Sequence, residues 1–256
     1  TDGKKETATA STTHPEEDEE DDCPICLDAL PKNAMKFMRM TCCGKGMHHA
    51  CGIKKMNSKS MTLKQRNSCC LCRRKIPTDS GSQEFIEQLR HWIKKGKRWS
   101  MSLLAQNYEN GTGVEQSWEQ AAHFYKMGVE HEDVCSMVGL GFLYYNGHGV
   151  EEDVEKAKEL FMKAAAQGYI TAILNLKRID KAEGKMMPSF TPTLTFCTYC
   201  GKAHNPPTTK LNFCSGCRSA YYCCKEHQIL DWKLKHNGHK EVCGELKELN
   251  KQYQTK

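Results

Sequence analysis

Cysteine is concentrated at two places in this chain of 256 residues, and that distribution constrains the fold more than any other feature. Eight of the sixteen cysteines lie between Cys23 and Cys72, seven lie between Cys197 and Cys243, and Cys135 stands alone. Several form CxxC pairs with histidines interspersed, and no apolar segment of signal-peptide type precedes them. This pattern favours zinc over disulfides, so we expect small metal-stabilised units in a reducing compartment, the cytoplasm or the nucleus.

The first cysteine cluster contains enough ligands for two tetrahedral zinc ions. Cys23 and Cys26 form one CxxC turn, and Cys69 and Cys72 form another. Each turn can place two sulfur atoms on one ion without strain. The block 42–51 between them can supply four further ligands from its cysteines and histidines. The spacing therefore predicts two zinc sites in residues 23–77.

The order of these ligands resembles the RING finger, in which the first and third ligand pairs hold one zinc ion and the second and fourth hold the other. The resemblance implies one site made of Cys23, Cys26, His48 and Cys51, and a second made of Cys42, Cys43, Cys69 and Cys72. RING fingers commonly have a histidine where this chain has Lys45, and Cys42 is its natural substitute. His49 remains an alternative to His48.

The RING resemblance also implies a partner. RING fingers that act as ubiquitin ligases dock a ubiquitin-conjugating enzyme, and Ile25 and Arg73 stand at the positions that such fingers use for this contact. No tryptophan lies between Cys51 and Cys69, where many active RING fingers have one. The hypotheses are a ligase that positions the loaded enzyme without a catalytic residue of its own, and a non-enzymatic scaffold that binds proteins.

The middle of the chain repeats itself. The segment 111–121 returns thirty-six residues later as 147–157, and each copy predicts a helix, a glycine turn and a second helix. Ser117 and Asp153 occupy equivalent positions and predict helix N-caps. The period and the Gly-x-Gly-Val loop resemble Sel1-like repeats, relatives of the tetratricopeptide repeat. That resemblance implies an all-α solenoid that serves as an interaction scaffold over residues 83–180.

The second cysteine cluster again contains eight ordered ligands, and its Tyr-Cys, His-Gln-x-x-Asp-Trp and His-Lys-x-x-Cys elements resemble the MYND zinc finger. The resemblance implies that Cys197, Cys200, Cys223 and His227 hold one zinc ion, and that Cys214, Cys217, His239 and Cys243 hold another. His236 remains an alternative to His239. MYND fingers bind proline-containing peptides, so this unit is expected to recognise proteins. Because so short a segment has little core, zinc must stabilise it.

These observations predict a multidomain fold with three folded units. We expect a small zinc-stabilised α+β RING-like finger, an all-α helical-repeat solenoid and a small zinc-stabilised MYND finger. The predicted boundaries are a disordered acidic tail over 1–22, the RING-like finger over 23–77, the repeats over 83–180, a linker over 181–195, the MYND finger over 197–243 and a C-terminal helix over 244–256.

The predicted function is that of a zinc-binding adaptor for protein partners. Four zinc ions are expected, which leaves Cys70, Cys135 and Cys224 as free thiols. Zinc catalysis is not expected, since four protein ligands leave no open position for water. Despite a formal net charge of +6, nucleic-acid binding is not expected, because neither cluster has the spacing of a groove-reading finger. No membrane partner is expected, because no apolar run reaches membrane-spanning length.

Overall fold

The computed structural model describes residues 22–30, 37–77, 79–184, 195–196, 203–204, 212–215, 221–222, 225–233 and 239–251. The acidic tail up to Asp21, most of the predicted linker, and Cys197, Cys200, Cys217, Cys223, Cys224 and His236 lie outside these residues.

The N-terminal unit is a small sheet followed by two short helices. Strands β1 (Phe37–Arg39) and β2 (Gly46–His48) pair in antiparallel fashion, with Met38 opposite Met47. Helices α1 (His49–Met56) and α2 (Leu63–Arg66) follow. The buried apolar cluster of this unit consists of four cysteines and two methionines: Cys23, Met40, Cys42, Met47, Cys51 and Cys69. A core of this kind has little aliphatic surface to bury, so it depends on what its sulfur atoms bind.

Six helices form the central unit. Each packs against the next along the chain, as expected for helical repeats joined by short loops. None of the helices in the described part of the chain combines the length and the apolar character of a membrane span. The six helices are α3 (Gln83–Lys94), α4 (Arg98–Asn110), α5 (Trp118–Glu130), α6 (Val134–Asn146), α7 (Val154–Ala166) and α8 (Ile170–Ala182).

The ends of these helices follow from residues that recur in the sequence. The side chains of Ser82, Ser117 and Asp153 each accept a hydrogen bond from the backbone amide three residues later, at the start of α3, α5 and α7. Gly111 and Gly147 end α4 and α6, each with a φ of +66° that favours glycine. The predicted pattern of helix, glycine turn and helix is therefore present in both copies.

One continuous core runs through the repeats. Tyr125, Leu160 and Phe161 are all buried in this core, whereas Trp118 and Phe124 are partly buried and pack against it. Small residues such as Ala121 and Ala157 occupy equivalent buried positions in the two copies and let the helices approach closely. The repeat register thus determines which face of each helix is buried.

The C-terminal unit consists of two short antiparallel strand pairs and two helices. Strand β3 (Thr195–Phe196) pairs with β4 (Ala203–His204), and β5 (Asn212–Phe213) pairs with β6 (Tyr221–Tyr222). Helix α9 (Lys225–Lys233) and helix α10 (His239–Lys251) follow. The predicted C-terminal helix therefore begins five residues earlier than residue 244, within the ligand-bearing segment. Helix α8 likewise continues to Ala182, into the stretch predicted as a linker.

Candidate metal centres and their supports

The first group of candidate metal ligands combines three thiols and one imidazole. The ligand atoms of Cys23, Cys26, His48 and Cys51 all lie within 4.8 Å of one another. Nδ1 of His48 is 3.3 Å from Sγ of Cys26. The end of β2 and the start of α1 hold His48 and Cys51 in place, because His48 is the residue that precedes the helix. His49 is not part of this group.

The second group consists of four thiols. The sulfur atoms of Cys42, Cys43, Cys69 and Cys72 lie within 4.8 Å of one another, whereas the neighbouring Cys70 is exposed and not in the group. Sγ of Cys43 is 3.7 Å from Sγ of Cys69, and Sγ of Cys72 is 3.4 Å from Sγ of Cys42. A tetrahedral zinc ion with Zn–S bonds of about 2.3 Å separates its sulfur ligands by about 3.8 Å, whereas a disulfide needs about 2.05 Å. These distances fit a shared metal ion.

The third group contains the described members of the second predicted MYND site. The ligand atoms of Cys214, His239 and Cys243 lie within 4.8 Å of one another, and all three residues are buried. Sγ of Cys214 is 3.6 Å from Sγ of Cys243. His239 and Cys243 are four residues apart on α10, which places them on one face of the helix. Helix α10 thus carries two candidate ligands in its first two turns.

The thiols differ in how readily they ionise. Although burial raises it, the pKa of Cys23 is lowered to about 6, because the backbone amides of Cys26, Ile25 and His48 hydrogen-bond to its sulfur. Hydrogen bonds from the backbone of Cys72 and Leu71 outweigh the same effect of burial and lower the pKa of Cys69 to about 7. Burial raises the pKa of Cys51 to about 12. Since zinc binds thiolates, a bound zinc ion would favour ionisation of a thiol whose pKa is raised, such as that of Cys51.

Three residues of the Tyr-Cys and Asp-Trp sequence elements, Tyr222, Asp231 and Trp232, lie around the third group. The hydroxyl of Tyr222 donates a hydrogen bond of 2.8 Å to Oδ2 of Asp231, and both residues are buried. The rings of Tyr222 and Trp232 have centroids 6.4 and 6.0 Å from that of His239. The tyrosine and the Asp-Trp pair therefore connect β6, α9 and α10 around a candidate ligand, as expected of supporting residues at metal sites.

The loop of the second group docks onto the first helix of the solenoid. The indole Nε1 of Trp92 on α3 donates a hydrogen bond of 2.6 Å to the backbone oxygen of Thr41, the residue before Cys42. The hydroxyl of Thr41 donates a hydrogen bond of 2.6 Å to Oε1 of Gln88. A Cβ atom on Gly44 would lie 2.9 Å from the Trp92 ring, so the loop and the helix are in close contact. The loop that carries the second candidate ligand group is thus fixed to the repeats.

The C-terminal unit docks onto the last helix of the solenoid in a similar way. Leu246 and Leu249 of α10 pack with Ile170 and Leu174 of α8 in a buried cluster that also contains Cys214 and Cys243. At its edge, the Arg178 guanidinium makes two hydrogen bonds, of 2.6 and 2.7 Å, with the Glu245 carboxylate. This bidentate contact lowers the pKa of Glu245. Both ends of the solenoid are thus covered by a cysteine-rich unit.

These two contacts could not be found by looking for ligand spacing. Trp92 and Thr41 are fifty-one residues apart, and only the structure pairs them. Arg178 and Glu245 are sixty-seven residues apart, with no sequence signal that joins them. The two residues predicted to contact a conjugating enzyme both lie on the surface. Ile25 is 41% exposed, and Arg73 is exposed with a φ of +60°.

Comparison with protein families identifies two parts of this architecture. The MYND finger family matches residues 197–243, and the Sel1 repeat family matches residues 100–133 and 136–169. The chain contains a MYND finger and two Sel1 repeats. Helices α3 and α8 lie outside the matched repeats and extend the solenoid at its two ends. Residues 23–77 lie outside both matches, so their RING-like character stays a prediction.

Curated relatives share a short segment with this chain. Egl nine homolog 1 of Homo sapiens is 52% identical over 48 residues, which are 19% of this chain and 9% of that protein. Programmed cell death protein 2 of Mus musculus is 60% identical over 30 residues, which are 12% of this chain and 8% of that protein. The chain therefore spans less than a tenth of the length of these relatives.

Two solved structures are similar to part of this chain. One is a protective antigen of uropathogenic Escherichia coli strains that displays an SLR fold, with 27% identity, a TM-score of 0.37, and coverage of 40% of this chain and 22% of that chain. Another is Helicobacter pylori cysteine rich protein B, with 27% identity, a TM-score of 0.34, and coverage of 35% of this chain and 68% of that chain.

Proposed function

We propose that this protein is a zinc-binding adaptor that presents two zinc fingers to protein partners from the ends of a Sel1-repeat solenoid. The observation that carries the proposal is the attachment of both cysteine-rich units to the repeats, through Trp92 and Thr41 at one end and through α8 and α10 at the other. Sel1 repeats and MYND fingers are modules that bind proteins. These contacts hold the two cysteine-rich units at fixed positions on the solenoid, as an adaptor with two binding surfaces requires.

Four zinc ions per chain are part of the proposal. The first two ligand groups each offer four donor atoms, which complete a tetrahedral structural site. The third group offers three described donors, and Cys217 would supply the fourth. Cys197, Cys200, Cys223 and His227 would hold the remaining ion. Zinc supplies the folding free energy of these units, and the protein side chains orient it and exclude water.

The C-terminal finger offers a surface suited to proline-containing peptides. Trp232 and Ile229 on α9 are 43% and 42% exposed, although Trp232 also lies beside the buried His239. An exposed indole beside an aliphatic side chain gives the flat apolar surface on which a proline ring packs. We therefore assign peptide recognition to this face of α9.

A binding experiment tests the adaptor proposal. A fluorescein-labelled proline-rich peptide library is screened against the zinc-loaded chain by fluorescence anisotropy. We expect binding that is lost when a chelator removes zinc and that weakens about tenfold or more in Trp232→Ala. Phe142→Ala, which changes an aromatic residue that is 41% exposed on α6, serves as the matched control and should leave binding intact. Binding that survives chelation unchanged would contradict the proposal.

A second candidate function is ubiquitin ligation by the N-terminal finger. The exposure of Ile25 within the turn that holds Cys23 and Cys26 favours it, since a buried side chain could not contact a ubiquitin-conjugating enzyme. The test combines the chain with activating enzyme, a panel of conjugating enzymes and ubiquitin. Formation of polyubiquitin should be abolished in Ile25→Ala, weakened in Arg73→Ala and retained in Phe142→Ala. If no conjugating enzyme of the panel supports ubiquitin transfer, the non-enzymatic adaptor is the function that remains.

A further inference from the structure

The connection between α1 and α2 exposes an unusual amount of aliphatic surface. Ile53 and Met56, one helical turn apart at the end of α1, are 44% and 58% exposed. Met61 and Leu63, just before and at the start of α2, are 39% and 66% exposed. Exposed apolar side chains that are scattered singly need no explanation, whereas four in twelve consecutive residues indicate a contact surface. We call residues 53–64 the α1–α2 surface.

The α1–α2 surface is also strongly basic. Lys54, Lys59 and Lys64 lie among its apolar residues and are exposed. From Ala29 to Thr78 the sequence contains twelve lysines and arginines and no aspartate or glutamate. A stretch with one sign of charge attracts the opposite charge over a Debye length of about 8 Å at physiological salt. The charge that complements this surface is therefore negative.

The α1–α2 surface is held in one conformation by polar contacts. The amine of Lys55, which is buried, donates a hydrogen bond to the backbone oxygen of Arg66 and so ties α1 to the end of α2. Thr62 and Gln65 form a reciprocal capping box at the start of α2. The backbone amide of Asn57 closes the end of α1 on the oxygen of Ile53. A preorganised surface of this kind loses little conformational freedom when a partner binds, so the entropic cost of binding is low.

The occupant must satisfy both properties, and several candidates satisfy only one. The acidic segment 16–22 of the chain itself would neutralise the lysines but has no apolar side chain to cover Met56 or Leu63. Nucleic acid would likewise neutralise the lysines. Its single-stranded bases usually stack on aromatic side chains, however, and residues 53–64 contain none. Interfacial membrane segments typically insert tryptophan, phenylalanine and leucine, whereas two of the four apolar residues here are methionines, which suit adaptable contacts with peptides.

We infer that the α1–α2 surface of the N-terminal finger binds an acidic amphipathic segment of a partner protein. The apolar face of the segment covers Ile53, Met56, Met61 and Leu63, while its carboxylates face Lys54, Lys59 and Lys64. This inference rests on the proposed adaptor function and names the class of partner that the N-terminal finger recognises. The ligand is a helix or strand with leucine-type side chains on one face and glutamate or aspartate on the other.

Fluorescence anisotropy with defined probes tests the inference on the full zinc-loaded chain. The first probe is a labelled amphipathic peptide made of leucine, glutamate and alanine, with the leucines on one face. The second replaces every glutamate by lysine, and the third replaces every leucine by serine. We expect binding of the first probe only, and weaker binding as the salt concentration rises.

Variants localise the binding. Met56→Ser/Leu63→Ser removes apolar contact, and Lys54→Glu/Lys64→Glu reverses charge without touching a candidate metal ligand. Each double variant should weaken binding of the first probe about tenfold or more. Phe142→Ser on α6 and Lys163→Glu on α7 are matched controls at exposed positions and should bind normally.

Other outcomes would overturn the inference. These are equal binding of all three peptides, full binding by both double variants, or binding only to vesicles of phosphatidylserine and phosphatidylcholine or to single-stranded RNA. Zinc content and binding of proline-rich peptides are measured on the same samples. If both are normal while the acidic probe fails to bind, the adaptor proposal stands and the inference about the α1–α2 surface alone is wrong.

Discussion

One of the helix caps in the repeat region is a buried side chain, that of Asp133. Its Oδ2 accepts hydrogen bonds of 2.7 Å from both the backbone amide and the hydroxyl of Ser136 at the start of α6. The side chain is buried, and burial raises the pKa of this carboxyl, against the lowering effect of the Ser136 hydrogen bonds. The equivalent positions in the other repeats, Lys97 and Tyr169, have no side-chain cap. Asp133 therefore has a stabilising role that the repeat pattern does not specify.

Substitution of Asp133 tests this role. Asp133→Ala removes the cap and leaves the Ser136 hydroxyl without its acceptor, so the free energy of unfolding should fall by about 2 kcal/mol. Asp133→Asn keeps an oxygen acceptor and removes the cost of a buried charge, so it should be clearly less destabilising. Urea denaturation followed by circular dichroism measures both. Equal stability of Asp133→Ala and the native protein would show that the cap contributes nothing.

At the scale of elements, the repeated Gly-x-Gly loop joins the two helices of each repeat. Its first glycine ends a helix in the left-handed conformation, as Gly147 does with a φ of +66°. Its second glycine lies against the backbone of the preceding structure. A Cβ atom on Gly149 would lie 2.3 Å from the carbonyl carbon of Trp118, at the start of α5. Gly147 is required because the backbone there is left-handed. Gly149 is required for the same reason and also because a side chain would clash with α5.

A pair of alanine substitutions separates these two requirements. Gly147→Ala introduces left-handed strain alone, because its Cβ would come no closer than 3.4 Å to another atom, and should cost about 1 to 2 kcal/mol. Gly149→Ala adds a clash with backbone that cannot move aside, and should cost about 3 kcal/mol or more. Thermal unfolding of the two variants gives the comparison. Similar melting temperatures would mean that the loop does not pack against α5 as described.

Features that depend on residues close together in the sequence could be predicted, whereas contacts between the three units could not. The 36-residue register predicted the helices, their caps at Ser117 and Asp153, and the glycine turns, because each depends on nearby residues. The atoms that spacing and family resemblance predict as ligands lie together where they are described, including those of His48 and His239, and their binding of zinc stays a prediction. The start of α10 at His239 was not predicted, because the helix continues through two candidate ligands.

For the whole molecule, the structure changes how the repeat region is understood. Two Sel1 repeats with a helix at each end form a small solenoid, and its exposed ends would normally need caps. The Trp92 contact with Thr41 and the packing of Leu246 on α8 place a cysteine-rich unit at each end. These units therefore act as caps while they present their own surfaces. Because the second ligand group docks through Thr41, the residue next to Cys42, a metal ion bound by that group would help to fix the position of the N-terminal finger.

The zinc content of the purified chain tests this account most directly. Inductively coupled plasma mass spectrometry with amino-acid analysis should give four zinc ions per chain. Cys70→Ser and Cys135→Ser change thiols outside the ligand groups and should keep four, whereas Cys72→Ser, only two residues from Cys70, should lower zinc occupancy. Two ions or fewer in the native protein, or a loss in Cys70→Ser equal to that in Cys72→Ser, would contradict the account.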